Sequence, residues 1–306
     1  MNEPIHLNRF LLHNRLVTFG LGFLLLVITL KVGSLLLGSW SITQLPPASV
    51  LERARAGVSR NGDWQPVIQR LDDLDMALVP ASCFPMGSTD LQLKKAVDSC
   101  ERFFGSGKCQ VNFVQSETPP REVCFDHPFW IGETEVTNRQ YGSSSTTDNK
   151  AAHRGPAWPR ETVTWGEATQ FCKVHNARLP TEAEWEFAAR GPDGLIYPWG
   201  DKFDLERVIS GRQMPANVAS VPAGASWVGA FDLSGNVAEW VADVYAPNFL
   251  PSTTEPDLLA HGEQRVFRSG SWFSFAAFFV RASHRESANP DTVNSTVGFR
   301  CARDLD

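Results

Sequence analysis

Residues 16–37 read LVTFGLGFLLLVITLKVGSLLL, an apolar run interrupted by a single charge, Lys31. Wound as a helix, the run reaches roughly 33 Å, which crosses a hydrocarbon core. Lys31 lies two turns from the end of the run, so its ammonium can reach the interface. No small-residue cleavage pattern follows Leu37, where the chain continues GSWS, and the pattern predicts an uncleaved transmembrane anchor over 16–38. Arg9 and Arg15 precede the run, while Arg53 and Arg55 follow at a greater distance. This bias places residues 1–15 in the cytoplasm and the rest of the chain outside. Residues 39–75 mix Pro46, Pro47, Gly57, Gly62 and Pro66 with short helical patches at 50–56 and 67–71. They read as a stalk or linker, with Trp64, Val67, Ile68 and Leu71 as an apolar face that could instead seat the segment on a domain as a cap.

From Met76 the pattern changes to short apolar stretches between turns. Residues 76–80 (MALVP) and 128–137 (PFWIGETEVT) read as strands beside Gly or Pro. Between them, 89–117 is largely polar and carries Cys100, Gly105, Gly107 and Cys109, which suits a surface insertion closed by a local disulfide. Residues 143–149 (SSSTTDN) are a loop by composition. Apolar positions at Trp165, Ala168, Phe171 and Cys172 have helical spacing, with Thr164 placed to cap the helix. A second helix is predicted after Pro180, where Thr181 and Glu184 have capping-box spacing, and Gly191 stops it. The remainder is turns and short strands without an internal repeat, so residues 76–306 are expected to form an irregular α+β domain.

Composition narrows the class. Hydrophobic residues make up 42% and charged residues 20% of 306, which excludes a wholly disordered chain and a polytopic membrane protein. A net charge of -6 without a dense Lys/Arg block argues against nucleic acid as a partner, because phosphate neutralisation supplies that affinity. Ten Trp and twenty Phe beside three Tyr and four Met point to an aromatic core or pocket. Six cysteines are an even number and allow three bridges if the compartment is oxidising.

Eight segments occur in a telling order: VPASCFPMGS (79–88), FWIGETEVTNRQY (129–141), VTWGEATQFC (163–172), ARLPTEAEWEFAARG (177–191), YPWGD (197–201), VGAFDLSGNVAEW (228–240), RVFRSGSW (265–272) and VGFRCARD (297–304). Together they resemble the formylglycine-generating enzyme, or sulfatase-modifying factor, family, whose domain is a variant of the C-type lectin fold. The resemblance covers residues 76–306. It implies two copper-binding thiols, three and eight residues after the Ser of the G-S-aromatic motif, and thiolate is the ligand Cu(I) requires. Counting from Ser271 gives Ser274 and Phe279, and the spacing on to Arg281 runs without a gap. Neither side chain can hold Cu(I) or carry thiol redox chemistry, so no copper and no formylglycine generation are expected. Related oxidases that join sulfur to a histidine derivative use an H-x-x-x-H-x-E iron site on a separate helical domain, and the seven His here lack that spacing.

The resemblance also implies one structural Ca2+, bound by the side chains of Asp232 and Glu239 and the carbonyls of Gly235 and Val237. Hard oxygen ligands this close together suit that ion. It further implies a Cys172–Cys301 disulfide. Cys83 with Cys124 and Cys100 with Cys109 complete one connectivity of the fifteen that six cysteines allow. Three such bridges would place the domain outside the cytoplasm.

Where the thiols belong, the chain reads WFSFAAFFVRASHRESANPDTVNSTVGFR (272–300). Phe273, Ser274, Phe275, Phe278, Phe279, His284 and Glu286 are the candidate ligand-binding residues, because exposed aromatic surface in a lectin-like cleft usually serves recognition. The rings could equally fill the void left by a lost copper site. Alternatively, an enzyme with altered chemistry would draw on Ser274, Arg281, His284 and Glu286. Positions 273, 274, 275, 278, 279, 284, 287, 292, 293, 295 and 296 carry only Phe, Ser, His, Thr or Val, each reachable from an AAC codon by changing adenines. This resembles the variable region of retroelement-diversified lectin-fold proteins, although Glu286 does not fit. The favoured expectation is a single-pass membrane protein whose non-catalytic domain, in the periplasm or at the cell surface, binds a protein, peptide or glycan.

Overall fold

The computed structural model describes residues 46–109, 115–144, 150–246, 264–275 and 277–305. The predicted cytoplasmic segment and anchor, 1–38, lie outside the described residues, as does most of the 143–149 loop. Among the described residues no helix is long and apolar enough to cross a membrane.

In chain order the elements are α1 (Ala48–Ala56), β1 (Ile68–Leu71), β2 (Leu74–Val79), β3 (Ser82–Met86), α2 (Asp90–Phe104), β4 (Arg121–Phe125), β5 (Phe129–Gly132) and α3 (Asn138–Ser144). Then follow α4 (Trp165–Val174), α5 (Glu182–Arg190), β6 (Ala238–Val244), β7 (Arg265–Arg268), β8 (Arg285–Ala288), β9 (Val297–Phe299) and β10 (Ala302–Asp304). One antiparallel sheet has the order β1-β2-β5-β10, and a second has the order β8-β7-β6-β9 with β6 and β9 parallel. A β3-β4 ribbon stands beside them.

β2 is buried along Met76, Ala77, Leu78 and Val79, as a short unbroken apolar run requires. Its partner β1 pairs Ile68 with Ala77 and Leu71 with Leu74 across a turn whose two residues, Asp72 and Asp73, both have positive φ, the tight hairpin geometry. Residues 46–75 are therefore not a free stalk. They form an outer layer of the domain, with Ala54 and Trp64 in the main core, so the domain begins near Pro46. Within the 67–71 patch, whose spacing suits a helix, Ile68–Leu71 is instead an edge strand.

The polar insertion also holds more structure than its composition announces. The Thr89 hydroxyl accepts the Gln92 amide and the Gln92 side-chain oxygen accepts the Thr89 amide, capping α2, whose Leu93, Ala96 and Cys100 face inward. α4 and α5 start on the predicted caps Thr164 and Thr181; Glu184 completes the expected capping box of α5, and Glu167 completes one for α4 as well. α5 is buried along its whole length. Its charges are matched: Arg268 reaches Glu182 at 2.6 Å and Glu186 at 2.5 Å, Arg285 reaches Glu182 at 2.7 Å, and Arg190 reaches Glu186 at 2.5 Å. All six cysteines are bridged, as Cys83–Cys124, Cys100–Cys109 and Cys172–Cys301.

Candidate functional site

β7 ends in Arg268 and the chain turns through Ser269-Gly270-Ser271-Trp272. Gly270 is required by close approach, since a Cβ there would meet the Phe279 carbonyl oxygen at 2.5 Å. Trp272 is buried with Ile209 and Val237 and donates to the Ser295 carbonyl. Ser274 closes the turn: its amide donates to the Ser271 carbonyl, and its Oγ accepts the Ser271 amide at 3.0 Å. The Ser274 carbonyl accepts from the Gly211 amide at 2.7 Å and from the Ser210 hydroxyl. A loop from 209–211 is thus tied to the segment where the first thiol is expected.

The candidate residues divide into two environments. Phe273 and Phe275 are 56% and 48% exposed, and their rings meet edge to face at 5.0 Å. Residues 277–280 form a 3-10 turn, which sends the adjacent Phe278 and Phe279 to different depths. Phe278 is fully buried, which removes it from any ligand surface. Phe279, at the position of the second thiol, packs beneath α2 with Val97, the Cys100–Cys109 bridge and the edge of Phe104.

His284 is buried against Phe278 and Phe279. Its Nε2 lies 3.0 Å from Glu286, and its Nδ1 faces Glu117 at 3.8 Å. Burial disfavours the imidazolium, but the two carboxylates outweigh it and raise the pKa. Burial likewise disfavours ionised Glu117, and Arg281 and His284 reverse that, holding it far below the carboxylate range. Arg281 grips both Glu117 oxygens, at 2.7 and 2.8 Å. Glu286 is exposed at the edge strand β8, with its carboxylate turned to His284.

Between α2 and the 209–211 loop opens a groove of about 470 Å³. Arg102, Phe103, Phe203, Leu205 and Gly211 line it beside Phe275. Only Phe275 was among the residues picked from sequence. The adjacent, exposed Phe103 and Phe104 at the end of α2 were the signal that could have found this wall.

Of the four expected calcium ligands, Asp232, Gly235 and Val237 lie in the turn before β6 and Glu239 on β6 itself, and the Glu239 charge is met from within the protein. Glu239 accepts Arg300 Nε at 2.6 Å on one oxygen and Arg300 Nη2 at 2.7 Å on the other, and it also accepts Trp185 Nε1 at 2.7 Å. Its charge is already answered by a fork that matches a carboxylate. Asp232 accepts the Ala219 amide at 2.7 Å, and burial pushes its pKa up to about 6. Burial, with Asp232 and Glu239 nearby, raises the neighbouring Glu135 well above the usual range and favours its neutral form. Among the described residues no group of three His, Cys, Asp or Glu is placed to hold a metal ion.

Comparison with known proteins accounts for this frame. Residues 70–305 match the sulfatase-modifying factor enzyme 1-like domain. The serine/threonine-protein kinase Pkn1 of Chlamydia trachomatis serovar L2 is 40% identical over 148 residues, 47% of this chain and 24% of Pkn1, so the chain spans about a quarter of that protein's length. The formylglycine-generating enzyme of Streptomyces coelicolor is 32% identical over 230 residues, 69% of this chain and 72% of the enzyme. PvdO from Pseudomonas aeruginosa shares the fold, with a TM-score of 0.63 over 79% of this chain and 100% of that chain at 23% identity. With its ordered motifs, paired cysteines and thiol-free G-S-W segment, the chain belongs to the sulfatase-modifying factor enzyme 1-like family as a non-canonical member.

Proposed function

We propose that the domain is a binding or accessory module that has lost the family's thiol-dependent oxidation. One observation carries this reading: Ser274 and Phe279 stand at the two thiol positions while all six cysteines are committed to disulfides. A hydroxyl and a phenyl ring offer Cu(I) no soft ligand. The Ser274 hydroxyl closes a turn and Phe279 packs half-buried against the cluster under α2, so both side chains are engaged in the fold. An altered enzyme gains little support from the remaining polar groups, since Arg281 is clasped to Glu117 and His284 is buried between carboxylates. The exposed Phe273 and Phe275 are the recognition surface in this reading, and the partner is a protein, peptide or glycan. Three disulfides favour an extracytoplasmic domain, held at the membrane by residues 16–38.

Titration of the full chain with Cu(I) under a competing chelator, followed by an oxidation assay on a cysteine peptide, tests the proposal. The expected result is no stoichiometric copper binding and no aldehyde product. Tight copper binding with turnover would overturn it.

A further inference from the structure

The groove beside the lost copper site has a chemical signature of its own. Its walls are Phe103 from α2, Phe203 and Leu205 from the 203–205 segment, and Phe275 from the G-S-W loop. All four are exposed by between 39% and 58%, an arrangement that costs hydration free energy unless an apolar body covers it. Two polar groups of the lining are already engaged, since the Ser210 hydroxyl and the Gly211 amide both donate to the Ser274 carbonyl, and Ser99 adds a hydroxyl from α2. Among the described residues the lining carries one charge, Arg102, and no carboxylate. The Arg102 guanidinium makes no hydrogen bond or ion pair with any described residue, although side chains on the same helix do: Glu101 accepts the Gly107 amide, and Lys94 pairs with Asp98.

We infer that this groove binds a small amphipathic anion, its apolar body against Phe103, Leu205 and Phe275 and its carboxylate or similar head on the Arg102 guanidinium. The inference rests on the binding-module reading and adds to it a small-molecule ligand, held in the groove that shares Phe275 with the recognition surface. The volume, about 470 Å³, lies in the range of small-molecule sites, which combine apolar walls with a few orienting polar groups. A single unpaired guanidinium at the rim selects head-group charge, because a charge-assisted hydrogen bond outweighs a neutral one. The Cys100–Cys109 bridge holds the end of α2 that carries both Arg102 and Phe103, so the apolar wall and the cation are presented together.

The test uses three probes with one apolar body and different heads: 4-phenylbutyrate, 4-phenylbutanamide and 4-phenylbutylamine. Binding to the full chain is followed by calorimetry, with empty membrane carriers subtracted. The acid is expected to saturate with a dissociation constant on the order of 1 mM or tighter, the amide to bind more weakly and the amine more weakly still. Arg102→Gln should weaken the acid roughly threefold or more and leave the amide unchanged. Arg102→Lys should restore part of the preference, and Phe275→Ala should weaken the acid and the amide alike. Equal affinity for acid and amine, indifference of the acid to Arg102→Gln, or no saturation by any probe up to about 10 mM would overturn the inference. None of these outcomes bears on copper, so failure here is distinct from failure of the proposal above.

Discussion

The half-buried Asp243 carboxylate accepts the Glu182 amide at 2.6 Å among charges of both signs. Burial comes first, then Glu182 and Glu184, and together they push its pKa up to about 7 against the pull of Arg285; Arg121 faces the same cluster. The native state therefore keeps a proton that the unfolded chain releases near its ordinary value of 3.8. The resulting stabilisation is complete below about pH 4 and is lost as the pH rises towards 7. Asp243→Asn, which keeps the acceptor, should match the parent in denaturant melts near pH 4 and exceed it by roughly 1–2 kcal/mol at pH 8. Glu239 gives a second expectation at this scale. With Arg300 on both its oxygens, added Ca2+ or a chelator should leave the melting temperature unchanged, and a calcium-dependent rise would show that the Arg300 fork yields to the ion. The identity of the residues at the thiol positions is legible in sequence, because spacing from Ser271 is covalent. Their surroundings are not: Phe278 and Phe279 are chemically alike, and only the 3-10 turn decides that Phe278 is fully buried beneath α2 with Leu93, Ala96 and Cys100 while Phe279 lies half-buried at the edge of that cluster.

α2 is the element that composition concealed. Polar residues dominate its span, yet Leu93, Ala96, Val97 and Cys100 keep helical spacing and Thr89 with Gln92 caps it. The opposite error occurred at 67–71, where a short apolar patch that would suit a helix is drawn into a sheet by its pairing with β2. Such tertiary overrides are expected for short segments, whose local preference is weak. Helices with strong caps, α4 and α5, were readable to their first residue. The short Cys100–Cys109 loop makes α2 a locally stapled unit. Replacing both cysteines with serine should accelerate hydrogen exchange in α2 by roughly tenfold or more while β6 and β7 keep their protection. Uniform loss of protection across the domain would instead mean that the staple supports the whole fold.

Across the whole molecule, the order of eight segments made the fold legible, whereas the pairing of distant strands was not. β6 lies parallel to β9 and antiparallel to β7, a register that no local pattern announces. The cysteine pairing came from the family resemblance rather than from spacing, since fifteen connectivities were open. The bridge with the longest span is Cys172–Cys301, with a separation of 129 residues against 9 for Cys100–Cys109. Removing it should cost about 2–5 kcal/mol in denaturant melts and exceed the cost of removing the short one. Equal losses would show that strain or residual unfolded structure, rather than chain constraint, sets the effect.

Position 300 and the strand after it have a bearing on biosynthesis. The guanidinium that neutralises Glu239, the sulfur that joins Cys172 and the strand that borders β5 all come from residues 300–304. During synthesis, a chain lacking these residues carries an unanswered interior carboxylate, an unpaired Cys172 thiol and an open sheet margin. Productive folding is therefore expected to await their arrival, and a chain stopped before residue 300 is expected to be degraded rather than to accumulate as a shortened, working protein.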